Sequence, residues 1–182
     1  MLRTGGTFPT LLLAAAFTGM CATPLRAQLP REQIEAAYLA KFARYVTWPP
    51  SRASRSELQL CIIGQDPFQR ALDNALRGEK VGGKSVSIRR VVSARGASGC
   101  DIAYVQGVSD AETQRFLDTL TPHPVLTVTS SRGGTPRGIV HFVIRDDRVR
   151  FHIDDASASR RGLGISSRLL SIAAGVTRGR TK

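Results

Sequence analysis

Ile34, Tyr38, Phe42 and Tyr45, with Leu39 and Val46 beside them, recur at helical spacing and predict a helix whose broad apolar face docks on a sheet. Pro30 suits its first turn, and Trp48, held before Pro49-Pro50, is pushed out of the α region and ends it. Three of the chain's eleven aromatics, Tyr38, Phe42 and Tyr45, lie on this helix, a stripe that is core packing before it is a ligand box. Ser51–Ser56 is a polar loop. Leu58–Gly64, apolar at consecutive positions, predicts a strand buried on both faces. Asp66-Pro67 sets up a helix start, and Phe68, Leu72, Ala75 and Leu76 keep its period. From Ser85 to Val92 apolar and polar positions alternate, with Val86, Ile88 and Val91 inward and Arg89 outward.

Further strands are predicted at Asp101–Val105 and Val125–Thr129, around a helix capped by Asp110, packed through Phe116, Leu117 and Leu120, and stopped by Pro122. Ile139–Arg145 and Arg148–Asp154 form a hairpin around Asp146-Asp147. Phe142, Ile144, Val149, Phe151 and Ile153 then face the core, while Arg145 faces Arg148, Val143 faces Arg150, and His141 faces His152. A last helix runs from about Ala156 to Val176, although Gly162 and Gly164 favour a turn first, with the helix proper starting near Ser166 or Ser167. Strands alternating with helices imply a single-domain α/β three-layer sandwich, a mixed, mostly parallel sheet flanked by helices in the Rossmann-like manner.

The order of Arg3, the apolar run Leu11–Phe17 and the small residue Ala27 is that of a secretory signal peptide, so residues 1–27 are expected to be removed and 28–182 to form the domain. The run is too short to cross a bilayer, and no later segment is long and apolar enough. Cys21 lacks the Leu-Ala-Gly pattern that precedes a lipidated cysteine. Removal leaves 155 residues, enough for one sizeable core, and lowers the net charge from +12 to +10 because Arg3 and Arg26 leave with no acid. Export argues against nucleic acid and leaves anionic lipid or an acidic protein surface as the partner of that charge. Cys61 and Cys100 remain, an even count that favours a disulfide in an oxidising compartment, either as a structural staple or as a reducible bridge. No Cys-x-x-Cys supports a thioredoxin-like catalyst.

Gly78–Ser85 has the letters of a phosphate-binding loop, but here a helix precedes and a strand follows, the reverse of what phosphate binding requires. Gly162-Leu-Gly164 lacks the third glycine of a dinucleotide site. His141, His152 and Asp154 share a hairpin face and are of metal-ligating type, but a site needs a further ligand or water and a supporting shell, and the sequence shows neither. No nucleophile–base pair or catalytic carboxylate pair stands out, so neither an enzyme, a cofactor nor a metal is expected.

Taken in order, Ala36–Pro49, Leu60–Gly64 with Asp66–Phe68, Val81 with Gly83-Lys84 and Val86, Leu126–Val128, Arg150-Phe151, Gly162-Leu163, Ile165–Ser167 and Leu169-Leu170 resemble the YfiR family of periplasmic proteins, from about Arg31 to Ala174. The resemblance implies a non-enzymatic periplasmic regulator that binds the periplasmic sensory domain of an inner-membrane diguanylate cyclase. Binding would hold cyclic diguanylate and biofilm formation low, and a homodimer is part of that expectation. Cys61 and Cys100 match one cysteine pair of the family; a second pair found in some members has no counterpart. His152 and Asp154 stand where relatives usually carry glutamate and asparagine. Tyr38, Phe42, Tyr45, Trp48, Arg150, Arg160 and Arg161 are the expected partner- or ligand-binding residues, Arg160, Arg161 and Arg168 being exposed. The alternative is a periplasmic small-ligand module reporting to a histidine kinase or an outer-membrane transporter.

Overall fold

The computed structural model describes residues 29–97 and 99–179, so the segment read as an export signal lies outside the described residues. In chain order, α1 (Arg31–Phe42), β1 (Val46–Thr47) and α2 (Pro50–Ala53) lead into β2 (Glu57–Gly64). After it come α3 (Arg70–Leu76), β3 (Lys80–Val81), β4 (Lys84–Val91), β5 (Ile102–Gln106), α4 (Asp110–Leu120) and β6 (Leu126–Ser130). The chain ends with the hairpin β7 (Val140–Arg145) and β8 (Arg148–Asp154), then α5 (Asp155–Arg160), β9 (Gly164–Ile165), α6 (Ser167–Ile172) and β10 (Gly175–Thr177).

Consecutive apolar residues in β2 require cover on both faces. Leu58, Leu60 and Ile62 join the larger core with Tyr104, Val128, Phe142 and Phe151, while Cys61 and Ile63 face a smaller core with Val105, Leu117 and Leu120. Helices α1 and α3 cover the first face and α4 the second, which makes the three layers. The eight-stranded sheet has the order β10-β8-β7-β6-β5-β2-β4-β3. The run β4-β2-β5-β6-β7 is parallel throughout, and its order is that of a doubly wound sheet with a switch point between β2 and β5. Strand β8 runs antiparallel to β7 and parallel to β10, and the edge strand β3 runs antiparallel to β4, so the sheet is mixed and mostly parallel.

Several local expectations gave way to tertiary contacts. Helix α1 stops at Phe42, and after a tight turn the β-branched pair Val46-Thr47 becomes a strand because Ile165 and Gly164 offer it an antiparallel partner. Its deepest positions are Ala36, Leu39, Ala40 and Phe42, while Ile34, Tyr38 and Tyr45 pack at the rim, where the two phenols keep access to water. Residues 50–53 form a short helix within the expected loop. Asp66 caps a turn, accepting from the N–H of Phe68 at 2.8 Å and of Gln69 at 3.2 Å, and α3 begins only at Arg70 because Gln69 has φ 46°. Ser109, not Asp110, caps α4 by accepting from the Glu112 N–H at 3.2 Å.

The hairpin has the expected register, Arg145 with Arg148 and His141 with His152. Asp146 and Asp147 take φ 50° and 54°, the left-handed pair that a two-residue loop needs to match strand twist. Ile144, expected in the core, is 41% exposed because it lies near the hairpin tip, beyond the cover of α1. The single C-terminal helix is instead two short helices separated by β9, as the two glycines suggest, and the chain then adds β10 parallel to β8. Arg89 does not point into solvent: it lies half-buried beside the Cys61–Cys100 sulfurs.

At the switch point, Gly64 has φ +84°, and an added Cβ would stand 2.2 Å from the Gln106 carbonyl oxygen. We expect Gly64→Ala to lower stability by at least about 2 kcal/mol, read as a shifted urea midpoint with an unchanged slope.

Candidate partner-binding site

A groove of about 410 Å³ opens where the N-terminal half of α1 passes the outer edge of β8. Leu29, Ile34, Tyr38 and Val149 give it an apolar floor, and Arg148 and Arg150 stand at its rim. The floor is firm. Tyr38 stacks on Phe42 at 6.4 Å and meets Phe151 edge-on at 5.5 Å, while Phe42 packs on Phe142 at 5.7 Å. A shallower hollow of about 310 Å³, lined by Gln33, Ala37 and Lys41, continues it along the outer side of α1.

The position of α1 is fixed by a carboxylate the sequence reading passed over. Glu35 is fully buried, 2.7 Å from the Arg31 Nε and 3.2 Å from the Arg132 Nη2, and it accepts from the Ser130 hydroxyl at 3.1 Å. Arg132 also holds Glu32 at 2.6 Å. A buried charge removed from such partners costs several kcal/mol, so this cluster ties the helix to the end of β6. The four-residue spacing of Arg31 and Glu35 was a visible signal; Arg132, about a hundred residues on, was not.

A second cluster surrounds the disulfide. Cys61 and Cys100 are bonded, with Cα atoms 5.9 Å apart, and both are fully buried. Arg89 Nη2 lies 3.9 Å from the Cys61 sulfur and 3.6 Å from that of Cys100. Beside them, buried Asp101 accepts from the Gln59 N–H at 2.8 Å and lies 3.6 Å from Arg52 and 3.7 Å from Arg55. Arg52 donates to the Cys100 carbonyl at 3.1 Å, and the Trp48 indole N–H donates to that of Asp101 at 3.1 Å. Burial first, then the neighbouring Arg55, lowers the proton affinity of Arg52 against the pull of Asp101.

The expected contact residues fall into two groups. Tyr38 and Arg150 both line the first groove, Tyr38 from its floor and Arg150 from the β8 edge, with Phe42, 1% exposed, in the core beneath. Trp48 lines a separate groove of about 200 Å³ with Val46, Leu58 and Val81. Near it, the Ser166 N–H donates to the Tyr45 carbonyl at 2.9 Å, bringing Tyr45 against the segment that follows Arg160 and Arg161. Arg160 is exposed and donates to the Ser157 hydroxyl at 2.7 Å; Arg161, expected to be exposed, is half-buried near Thr121 because the turn after α5 folds back on the sheet.

The histidine face of the hairpin has its own structural work. The Thr129 hydroxyl takes the Gly138 N–H at 2.9 Å and contacts His141 Nδ1 at 2.8 Å, which fits a neutral ring accepting the hydroxyl proton. Asp154 caps α5, accepting from the N–H and hydroxyl of Ser157. Among the described residues no group of three or more metal-ligating side chains gathers, and no helix is long and apolar enough to cross a membrane.

Two outcomes are expected. Replacing both cysteines by alanine should cost about 4 kcal/mol in urea unfolding, the loop-entropy value for a 39-residue separation. Burial first, then Arg137, His152 and Arg31, lower the pKa of His141 to about 4. The unfolded ring binds a proton near pH 6.5, so this contribution is whole above that pH and is lost as pH falls towards 4, by roughly 3 kcal/mol at most. His141→Gln should flatten the fall of urea midpoint across that window.

The sequence model of one family, described as YfiR/HmsC-like, matches residues 32–174, from the start of α1 to the residue before β10. The match takes in the disulfide, the Asp101 cluster, the second groove, and all of the first groove and of the Glu35 cluster except Leu29 and Arg31, and covers more than three quarters of the chain; the protein belongs to the YfiR/HmsC-like family.

Proposed function

We propose that the protein acts in the periplasm as a non-enzymatic repressor that binds the sensory domain of an inner-membrane diguanylate cyclase and keeps cyclic diguanylate and biofilm formation low. The observation that carries this reading is family membership over residues 32–174, since YfiR-like proteins are in general periplasmic regulators of diguanylate cyclases. Export through residues 1–27 is part of the proposal. Tyr38 and Arg150 in one groove, Trp48 in the other, and Tyr45, Arg160 and Arg161 outside the lining of both are the proposed contacts, with Phe42 supporting the first groove from beneath.

The regulatory part concerns Cys61–Cys100. Their sulfurs are buried, so a reductant reaches them only after local opening; Arg89 then favours the thiolate that forms. Loss of the bridge would loosen the second core and shift the protein towards an unbound population, freeing the cyclase. A homodimer is the proposed assembled form.

The test is intracellular cyclic diguanylate in the parent strain, a deletion, and the deletion complemented with wild-type or Cys61→Ala/Cys100→Ala protein. We expect a rise on deletion that the wild type reverses and the cysteine variant does not. An unchanged level on deletion, with the protein demonstrably made in the parent, would overturn the repressor reading in favour of a small-ligand module. Full repression by the disulfide-free variant would overturn the redox part alone.

A further inference from the structure

We propose that the outer edge of β8 from Arg148 to Phe151, with the groove beneath it, is a strand-addition site for an extended partner segment in which acidic residues alternate with apolar ones. The proposal deepens the repressor reading by naming a docking surface, and rests on it only for the identity of the partner.

The backbone supplies the first observation. In a two-residue hairpin the closing pair, here Arg145 and Arg148, exchanges hydrogen bonds, so the bonded pairs recur at Val143 with Arg150 and His141 with His152. Val149, Phe151 and Ile153 therefore turn their N–H and C=O groups to the other side. That is where β10 pairs, but only alongside His152 to Asp154, and the Ala174 N–H adds one bond to the Phe151 carbonyl at 2.8 Å before the chain leaves for α6. Among the described residues no strand pairs beside Arg148–Arg150 on that side. The uncovered stretch, Arg148 to Arg150 together with the Phe151 N–H, is roughly 10 Å long at strand rise and continues the line of β10. Its free groups are those an added strand would take.

The side chains supply the second. Val149 and Phe151 face the groove floor of Ile34 and Tyr38, whereas Arg148 and Arg150 lie on the opposite face and are exposed. A strand laid beside β8 alternates in the same way, so its inward residues meet the floor and its outward residues stand beside the arginines. None of Arg145, Arg148 and Arg150 belongs to an ion pair among the described residues, and Arg145 with Arg137 makes the neighbourhood cationic enough to oppose protonation of His152, after burial. Asp146 at the hairpin tip and Asp147, which itself lines the groove, offset part of this, leaving Arg145, Arg148 and Arg150 in excess. Acidic outward residues therefore complement the site and basic ones are repelled. The same charges argue against a second copy: antiparallel pairing of two β8 edges about Val149 would place Arg148 opposite the other copy's Arg150.

The test uses the mature full-length protein and three synthetic octapeptides: alternating valine and glutamate, alternating valine and lysine, and the glutamate peptide N-methylated on its ladder-facing amides. Binding is followed by titration, and amide exchange at Val149 and Phe151 is read in the same samples. We expect the glutamate peptide to bind, to slow exchange of both amides, and to bind at least about tenfold more tightly than the lysine or N-methylated peptide. Arg148→Glu/Arg150→Glu, exposed changes checked by melting temperature, should reverse the charge preference. No binding, equal binding of the acidic and basic peptides, or binding without protection at Val149 and Phe151 would overturn the site.

The double variant is also introduced into the deletion strain. If it represses as the wild type does, the edge is not where the cyclase docks, and that part of the inference fails while repression stands. If deletion leaves cyclic diguanylate unchanged, repression fails and the peptide result decides the strand-addition site by itself.

Discussion

The parallel pair β2–β5 must be buried on both faces, and most of the molecule follows from that constraint. Leu60, Ile62, Ile102 and Tyr104 look to one side, and Cys61, Ile63, Ala103 and Val105 to the other. A sheet apolar on both sides needs two helical layers, and right-handed crossovers through α3 and α4 supply them on opposite faces. The second layer is thin, since α4 is its one long helix. The disulfide stands in that layer, joining β2 to the approach of β5 where the apolar cover is least extensive.

Two buried carboxylates locate the segments the sheet does not hold directly. Glu35 ties α1 to the end of β6 through Arg31, Arg132 and Ser130, and Asp101 gathers Arg52 and Arg55 from the segment around α2 beside the disulfide. Each is costly to desolvate and becomes tolerable only when its cations and hydrogen-bond donors arrive together. They therefore specify position more than they add stability. The geometry of the large groove follows, because the wall bearing Ile34 and Tyr38 is set by the same helix that Glu35 pins.

The edge of the sheet is where folding leaves binding capacity unused. Strand β10 is three residues long and covers less than half of β8, so main-chain groups, an aromatic floor and two arginines without an ion pair among the described residues coincide at one place. An uncovered strand edge invites aggregation, and the exposed charge at Arg148 and Arg150 is a recognised means of preventing it. Charge that prevents self-association also selects an acidic partner, so protection and recognition use the same residues.

Sequence alone determined whatever rests on local periodicity. The buried strand β2, the hairpin with its register and its Asp146-Asp147 turn, the turn at Gly162–Gly164, the cysteine pairing and the three-layer class were all legible, because each follows from residue period, turn chemistry or an even cysteine count. What tertiary structure decided lies where distant segments meet. Val46-Thr47 became a strand because Gly164-Ile165 lay beside it, and Ala36, Leu39, Ala40 and Phe42, not the tyrosines, took the deepest positions of α1. Tyr38 and Arg150 share a groove although more than a hundred residues separate them, while Phe42, one turn from Tyr38, is closed into the core. Periodicity says which face of an element is apolar; what covers that face, and what is left uncovered, depends on non-local packing that no local window contains.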